Sequence, residues 1–336
     1  MNHVQLSAEK SRPARYLKWF GVFSSVGMFI INFIGFLDTQ TNSAEGCGPD
    51  WPLCNGQILP SLNNIHVIIE LMHRFLVGFF AVVAVVFVVW ALMKFRRFRE
   101  VRIFAWFAIG FIVVQSLLGA LAVVFVNPPE VLALHLGFGL IAMGAIALLT
   151  VFLFQYDHYA AEEVSGLNYR TQFLPKSLIH LIRWTWVYMY ADIYLGSDVA
   201  FHNAGTACTG WPLCNGEIFP GLLGNVGLAF AHRLAAIGFA VLSIWLMIAL
   251  NGVKKERPDL YKGAQALFVM ILLQIFSGAW VILSNISLNA DLLHVSLLMV
   301  LFTVLSYLFL QTYPFREATV KNSSEREKQT LLHSYK

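Results

Sequence analysis

Charged side chains are scarce in this 336-residue chain: Asp, Glu, Lys and Arg make up 12% of it, about half their share in an ordinary soluble domain. With 58% apolar residues and a mean hydropathy of +0.66, that deficit excludes a water-soluble globular protein. Basic residues are also missing from particular places. Segments 39–63, 127–130, 198–224 and 284–288 contain no Lys or Arg at all, which marks them as the translocated side of a membrane. Cysteine is limited to four residues, all in two of those loops, as Cys47 with Cys54 and Cys208 with Cys214. Six and five intervening residues are too many for the spacing of about two to four usual in zinc sites. Two local disulfides on an oxidising outer side are the leading reading, with a four-thiolate zinc site and free thiols as the alternatives. Nothing in the chain addresses nucleic acid.

What is present is long apolar runs. Stretches near 17–38, 65–93, 103–126, 131–155, 178–197, 225–250, 263–283 and 289–313 are each about long enough to span a bilayer. Of the 23 basic residues, 21 fall on one side of these spans, and the other two are Arg74 and Arg233. Both termini are therefore expected in the cytoplasm, and the chain is expected to be multi-pass in the cell membrane. The first span lacks a cleavage pattern and reads as a retained helix and not as a signal peptide. The polar segment 156–177 reads as a cytoplasmic linker, and the polar tail 314–336 as a poorly ordered cytoplasmic extension.

The chain repeats itself. Trp51-Pro52-Leu53-Cys54-Asn55-Gly56 returns as Trp211-Pro212-Leu213-Cys214-Asn215-Gly216. Downstream, His73-Arg74 recurs as His232-Arg233, Gln115 as Gln274, Gly119 as Gly278 and His135 as His294. The expected fold is an all-α membrane protein of eight transmembrane helices, arranged as two tandem four-helix bundles, 1–155 and 178–313. An even number of helices per copy sends both copies into the membrane in the same direction, so a pseudo-twofold axis along the membrane normal relates them.

Among the ten histidines, only His73, His135, His232 and His294 are repeated, and all four lie inside apolar helices. An ionisable group there is costly and faces an interior partner or site. From the helical rise, His73 and His135 sit roughly 7 to 12 Å below the outer face. Each pair comes from helices that cross in the same direction, as do His232 and His294. Two imidazoles converging inside a four-helix bundle make a bis-nitrogen ligand set for a haem iron. The alternative for each ring is a helix–helix hydrogen bond. Covalent haem attachment is excluded, because no Cys-x-x-Cys-His occurs, and two histidines alone leave zinc short of ligands. Gly78, Gly119, Gly137, Gly139, Gly238 and Gly278 would let a flat macrocycle, or simply a neighbouring helix, approach the backbone. Arg74 and Arg233 suit haem propionates or snorkelling to lipid headgroups.

One residue breaks the symmetry. Glu70, three positions before His73, corresponds to Ala229, three before His232. It lies on the histidine's helix face, about one turn nearer the outer surface. There a carboxyl group can give or take a proton, or stabilise a developing cation, at a reacting haem substituent. Alternatively it is structural, paired with Arg74 or a loop amide. The asymmetry makes the first half the candidate reaction site and the second a fixed electron-transfer site.

The duplicated Trp-Pro-Leu-Cys-Asn-Gly strings, the paired cysteines, Glu70-x-x-His73, His135, His232 and His294 together resemble the haem A synthase family, in its cysteine-containing bacterial and archaeal type, over about residues 20–313. The resemblance implies stepwise oxidation of the C8 methyl group of haem O, through an alcohol, to the formyl group of haem A. It implies that His232 and His294 hold a haem b, that His73 and His135 flank the substrate porphyrin, and that Glu70 assists the chemistry. It also implies supply of haem O by a haem O synthase and a membrane electron acceptor, and a homo-oligomer is compatible with it. The run Gly196-Ser197-Asp198-Val199-Ala200 departs from the family's usual basic residue before the second cysteine pair. Asp38 and Glu45 are expected to make the first outer loop acidic.

Overall fold

The computed structural model describes residues 15–164 and 174–313, with side chains described for 15–156 and 174–313. The expectations placed on 1–14, on the middle of the linker and on the tail 314–336 lie outside the described residues.

The described residues form eight long α-helices: α1 Arg15–Gln40, α2 Ile65–Phe95, α3 Arg99–Val124, α4 Pro129–Val164, α5 Lys176–Phe201, α6 Gly224–Asn251, α7 Pro258–Leu283 and α8 Leu288–Leu310. Seven are long and apolar enough to cross a membrane. The exception is α5, whose 26 residues include Lys176, Arg183, Asp192 and Asp198. In hydrocarbon only closed backbone hydrogen bonding is tolerated, and helices satisfy it within each segment.

The repeat is visible in the backbone as well as the sequence. α1 and α5 are displaced by 161 residues at both ends, and α3 and α7 by 159 at both ends. Left-handed residues recur at matching places, Asn42 with Asn203, Asn55 with Asn215, and Val126-Asn127 with Asn285-Ile286. The last pair shows the shared turn surviving where the residue types have diverged.

Within each half the helices close a ring. α1 packs on α2, α2 on α3, α3 on α4 and α4 back on α1, and α5 to α8 repeat the circuit. The rings meet through α4 against α5 and α8, and α1 against α8. This makes α4 the most enclosed span, with 78% of its apolar window buried. Close approach across that interface depends on small residues. A Cβ built on Gly144 of α4 would stand 2.8 Å from Phe302 Cε1 of α8.

Of the boundaries that differ from the sequence reading, three bear on the linker, a helix start and the site. α4 continues past 155 to Val164, because Ala160-Ala161-Glu162-Glu163 favours the helix; the first part of the expected linker is thus helical. α7 starts at Pro258, five residues early, with Pro in its first turn and Arg257 paired to Asp259 at 2.8 Å, an N-terminal arrangement that suits helices. α1 runs to Gln40, which moves Asp38 out of the outer loop and into a helix where it is 5% exposed. The aromatic residues of α5 divide in role. Trp184 is exposed, whereas Trp186 stacks on Tyr190 and donates to Ser306 Oγ of α8 at 2.9 Å.

Candidate functional site

The disulfide loops come first, because they cap both rings. Cys47 is bonded to Cys54 and Cys208 to Cys214, and no described cysteine is free. Alkylation of unreduced protein is therefore expected to add no mass, and a shift corresponding to modified thiols would refute the pairing. Each loop is clamped by the arginine of its own half. Arg74 Nη1 donates to Leu53 O at 2.9 Å. Arg233 donates to Gly210 O and Leu213 O, both at 2.9 Å, and to Cys208 O at 2.6 Å. This clamping supplies a reason for the repeated His-Arg pair that the sequence reading missed.

Below the first loop, a cavity of about 320 Å³ opens among α1 to α4. His73 and His135 both line it, together with Glu70, Arg74, Gln115 and Gly119. Glu70 is 2% exposed. Its Oε2 accepts from the Cys47 backbone N–H at 2.6 Å, and its Oε1 accepts from Arg74 Nη2. Both structural partners considered from sequence are thus engaged, while the same residue forms part of the cavity wall. The disulfide loop therefore fixes the carboxyl group above His73 by a direct backbone contact.

Asp38 also lines this cavity, and its buried Oδ1 has no hydrogen-bond partner among the described residues. It was missed as a site residue because its position near a cysteine loop suggested solvent. An ionisable residue at the very end of an apolar run was the available signal.

All four repeated histidines rest against glycine. A Cβ on Gly35 would meet His73 Cε1 at 2.8 Å and one on Gly119 would meet His135 Cε1 at 3.2 Å. In the second half, Gly196 stands in the same way 2.9 Å from His232 Cε1, and Gly278 3.1 Å from His294 Cε1. Gly119 and Gly278 were legible as repeated small residues. Gly35 and Gly196 were not, although their separation equals the displacement of α1 from α5. Gly137 and Gly139 serve helix packing, against Tyr194 and against Asn32 and Gln115. Gly238 sits under Tyr188, and Gly78, which also lines the cavity, has open space at its Cβ.

In the second half, His232 and His294 lie on α6 and α8. His232 Nδ1 is 2.9 Å from Asp192 Oδ1, and His294 Nδ1 is 2.8 Å from Ser277 Oγ. Ala229 occupies the place of Glu70 and is buried with Cys208 and Cys214. Imidazoles laid against a backbone that a methyl group would obstruct suit a flat iron macrocycle, and in the first half the two line one cavity.

Comparison with known proteins agrees with this geometry. Residues 61–306 match the COX15-CtaA family, described as cytochrome oxidase assembly protein. The chain is 35% identical over 295 residues to a protein of Alkalihalophilus pseudofirmus named Heme A synthase, an alignment covering 87% of this chain and 96% of that one. It is 34% identical over 310 residues to the Heme A synthase of Geobacillus kaustophilus, covering 91% and 95%. It is also 34% identical over 295 residues to that of Bacillus cereus, covering 88% and 92%. With aligned relatives running almost end to end and both histidine pairs inside the matched region, the chain belongs to the COX15-CtaA family of cytochrome oxidase assembly proteins.

Proposed function

We propose that this protein oxidises the C8 methyl group of haem O to a formyl group, producing haem A for terminal oxidases. The observation that carries the reading is the asymmetric first-half cavity, where Glu70 joins His73 and His135 while Ala229 stands at the equivalent place in the second half. The relatives' name supports the same chemistry.

In this reading, residues 1–155 bind the substrate porphyrin between His73 and His135. Residues 178–313 hold a haem b between His232 and His294, and when bound it supplies a one-electron redox centre. The two halves are related by a pseudo-twofold axis along the membrane normal, with all eight helices spanning the plasma membrane and both termini cytoplasmic. α5 is carried across despite its charges because Arg183 and Asp192 are engaged by protein, Arg183 with Thr312 Oγ1 and Asp192 with His232. Intramembrane charges persist when partnered in this way.

The chain's own residues account for binding and proton handling. Arg74 holds Glu70 and the loop together, so the carboxyl group stays aimed at the cavity. Positioning of this kind lowers the entropic part of a barrier. Glu70 gives or takes the proton at the reacting substituent, a contribution of about 10²- to 10⁴-fold for a placed acid–base group. Apolar walls from Ile31, Phe36, Leu132 and Leu136 limit water, which strengthens each polar contact inside. Arg74 and Arg233, at the outer ends of the two sites, add positive charge suited to propionates while clamping their loops. Haem O arrives from a haem O synthase, and electrons leave to a membrane acceptor.

Extraction of bound porphyrins and their separation by HPLC test the reading. Haem O and haem A together with haem B are expected. Haem B alone, at two per chain, would instead indicate a simple two-haem electron carrier and defeat the proposal.

A further inference from the structure

The two histidine pairs differ in what stands behind them. Asp192 Oδ1 lies 2.9 Å from His232 Nδ1. A carboxylate only accepts, so Nδ1 carries the hydrogen and the lone pair is left on Nε2. On the opposite helix, the Ser277 hydroxyl donates its single hydrogen to Gln274 O at 2.9 Å. Toward His294 Nδ1, at 2.8 Å, it therefore accepts, and the second ring takes the same tautomer. Gln274 Nε2, 3.2 Å from His294 Nε2, is a donor facing that lone pair. Both second-half imidazoles thus carry their lone pair on Nε2, the atom that would bind a metal, and at His294 the Gln274 amide now donates to it.

The first half has no such anchors. By the displacements of 161 and 159 residues that relate the helices, Asp192 corresponds to Ile31 and Ser277 to Leu118. His73 Nδ1 and His135 Nδ1 are buried with no hydrogen-bond partner among the described residues. The backbone of Gln115 approaches His135 as that of Gln274 approaches His294, so what the first half lacks is the side-chain partner at Nδ1.

Resting on the reading that the second half holds a haem b, we propose that Asp192 is a positioning residue that makes this haem a permanent, low-potential centre. It acts through His232, with Ser277 doing the corresponding work on His294. An anchored Nδ1–H fixes the ring and raises the basicity of Nε2, which strengthens the bond to iron and favours the oxidised state; loss of such a partner weakens metal binding about 10- to 100-fold. Ile31 and Leu118 leave the first-half rings without this reinforcement. That suits a site whose porphyrin must enter as substrate and leave as product. The same four-helix plan, used twice, thereby gives one retaining site and one exchanging site.

The test uses the purified holo-protein in detergent, with redox titration of the b-type absorption and transfer of haem to apomyoglobin as readouts. Asp192→Leu is expected to move the one-electron equilibrium about tenfold toward the reduced form, about 59 mV for a one-electron couple, and to release haem b at least tenfold faster. Asp192→Asn keeps an accepting oxygen without the charge, so it is expected to retain haem nearly as well as the parent while its potential still rises. A haem b that keeps both its potential and its release rate in the two variants overturns the inference alone. A parent protein with no bis-histidine haem overturns the functional reading and this inference with it. Because neither readout depends on turnover, a purely structural Asp192, needed only for folding, would leave the potential of the Asp192→Asn protein unmoved.

Discussion

Glu70→Gln is expected to abolish haem A formation, by at least about 100-fold, while the protein continues to bind porphyrin in both halves. The substitution removes the charge and the transferable proton but preserves the size of the side chain. It also keeps an accepting oxygen for the Cys47 N–H, which now reaches Glu70 Oε2 at 2.6 Å. The loop contact is therefore retained and the chemistry is not, which separates the two roles that the geometry gives this residue. Haem A and haem O in the purified variant are measured by HPLC, alongside total haem by pyridine haemochrome. Accumulated haem O with normal haem B is the expected pattern. Normal haem A yield would reduce Glu70 to a strut between α2 and its disulfide loop. The mirror substitution, Ala229→Glu, is expected to leave product formation unchanged, because the second half binds no substrate in this reading.

His232→Leu is expected to remove the low-spin b-type spectrum altogether. Leucine has a similar volume and no nitrogen, so one axial position is lost while the bundle keeps an apolar side chain against Gly196. The Asp192 carboxyl group would then be left half-buried without the imidazole it now meets at 2.9 Å, a desolvation cost of about 1 to 3 kcal/mol. Some loss of stability is therefore expected beside the spectral change. Circular dichroism of the purified variant checks that the helices persist. An unchanged low-spin spectrum would refute His232 as an axial ligand and remove the basis for dividing labour between the halves. His73→Leu serves as the comparison, with the b-type spectrum retained and product formation lost.

The legible parts of this protein were those that a repeat or a solvent boundary imposes on residue choice. His73, His135, His232 and His294 stood out because an imidazole inside an apolar helix is costly, and its recurrence in both copies removes accident as an explanation. Glu70 stood out because the copies disagree there. The cysteine pairing followed from its place among loops without basic residues. Asp192 was passed over for the opposite reason: it has no repeat partner, and the spacing of 40 residues to His232 along the chain carries no sign of contact. Gly35 and Gly196 were hidden because glycine is common in membrane helices, and only the ring edges at 2.8 and 2.9 Å show what they make room for. The loop contacts of the arginines were not legible, since a guanidinium near an interface suggests a propionate or a lipid headgroup, whereas three loop carbonyls take the hydrogens of Arg233. Asp38 was placed in a loop because it stands at the last residue of the apolar stretch, two residues before α1 ends at Gln40.

Phe201, the last residue of α5, belongs by sequence to the second copy, yet it lines the first-half cavity and meets Phe36 with ring centroids 6.4 Å apart. One copy thus contributes masonry to the other's chamber. A gene encoding the first four helices alone would yield a vessel with a missing side, leaking water onto its contents. The second copy therefore does more than add a compartment: the first chamber is closed only when Phe201 of its neighbour is in place.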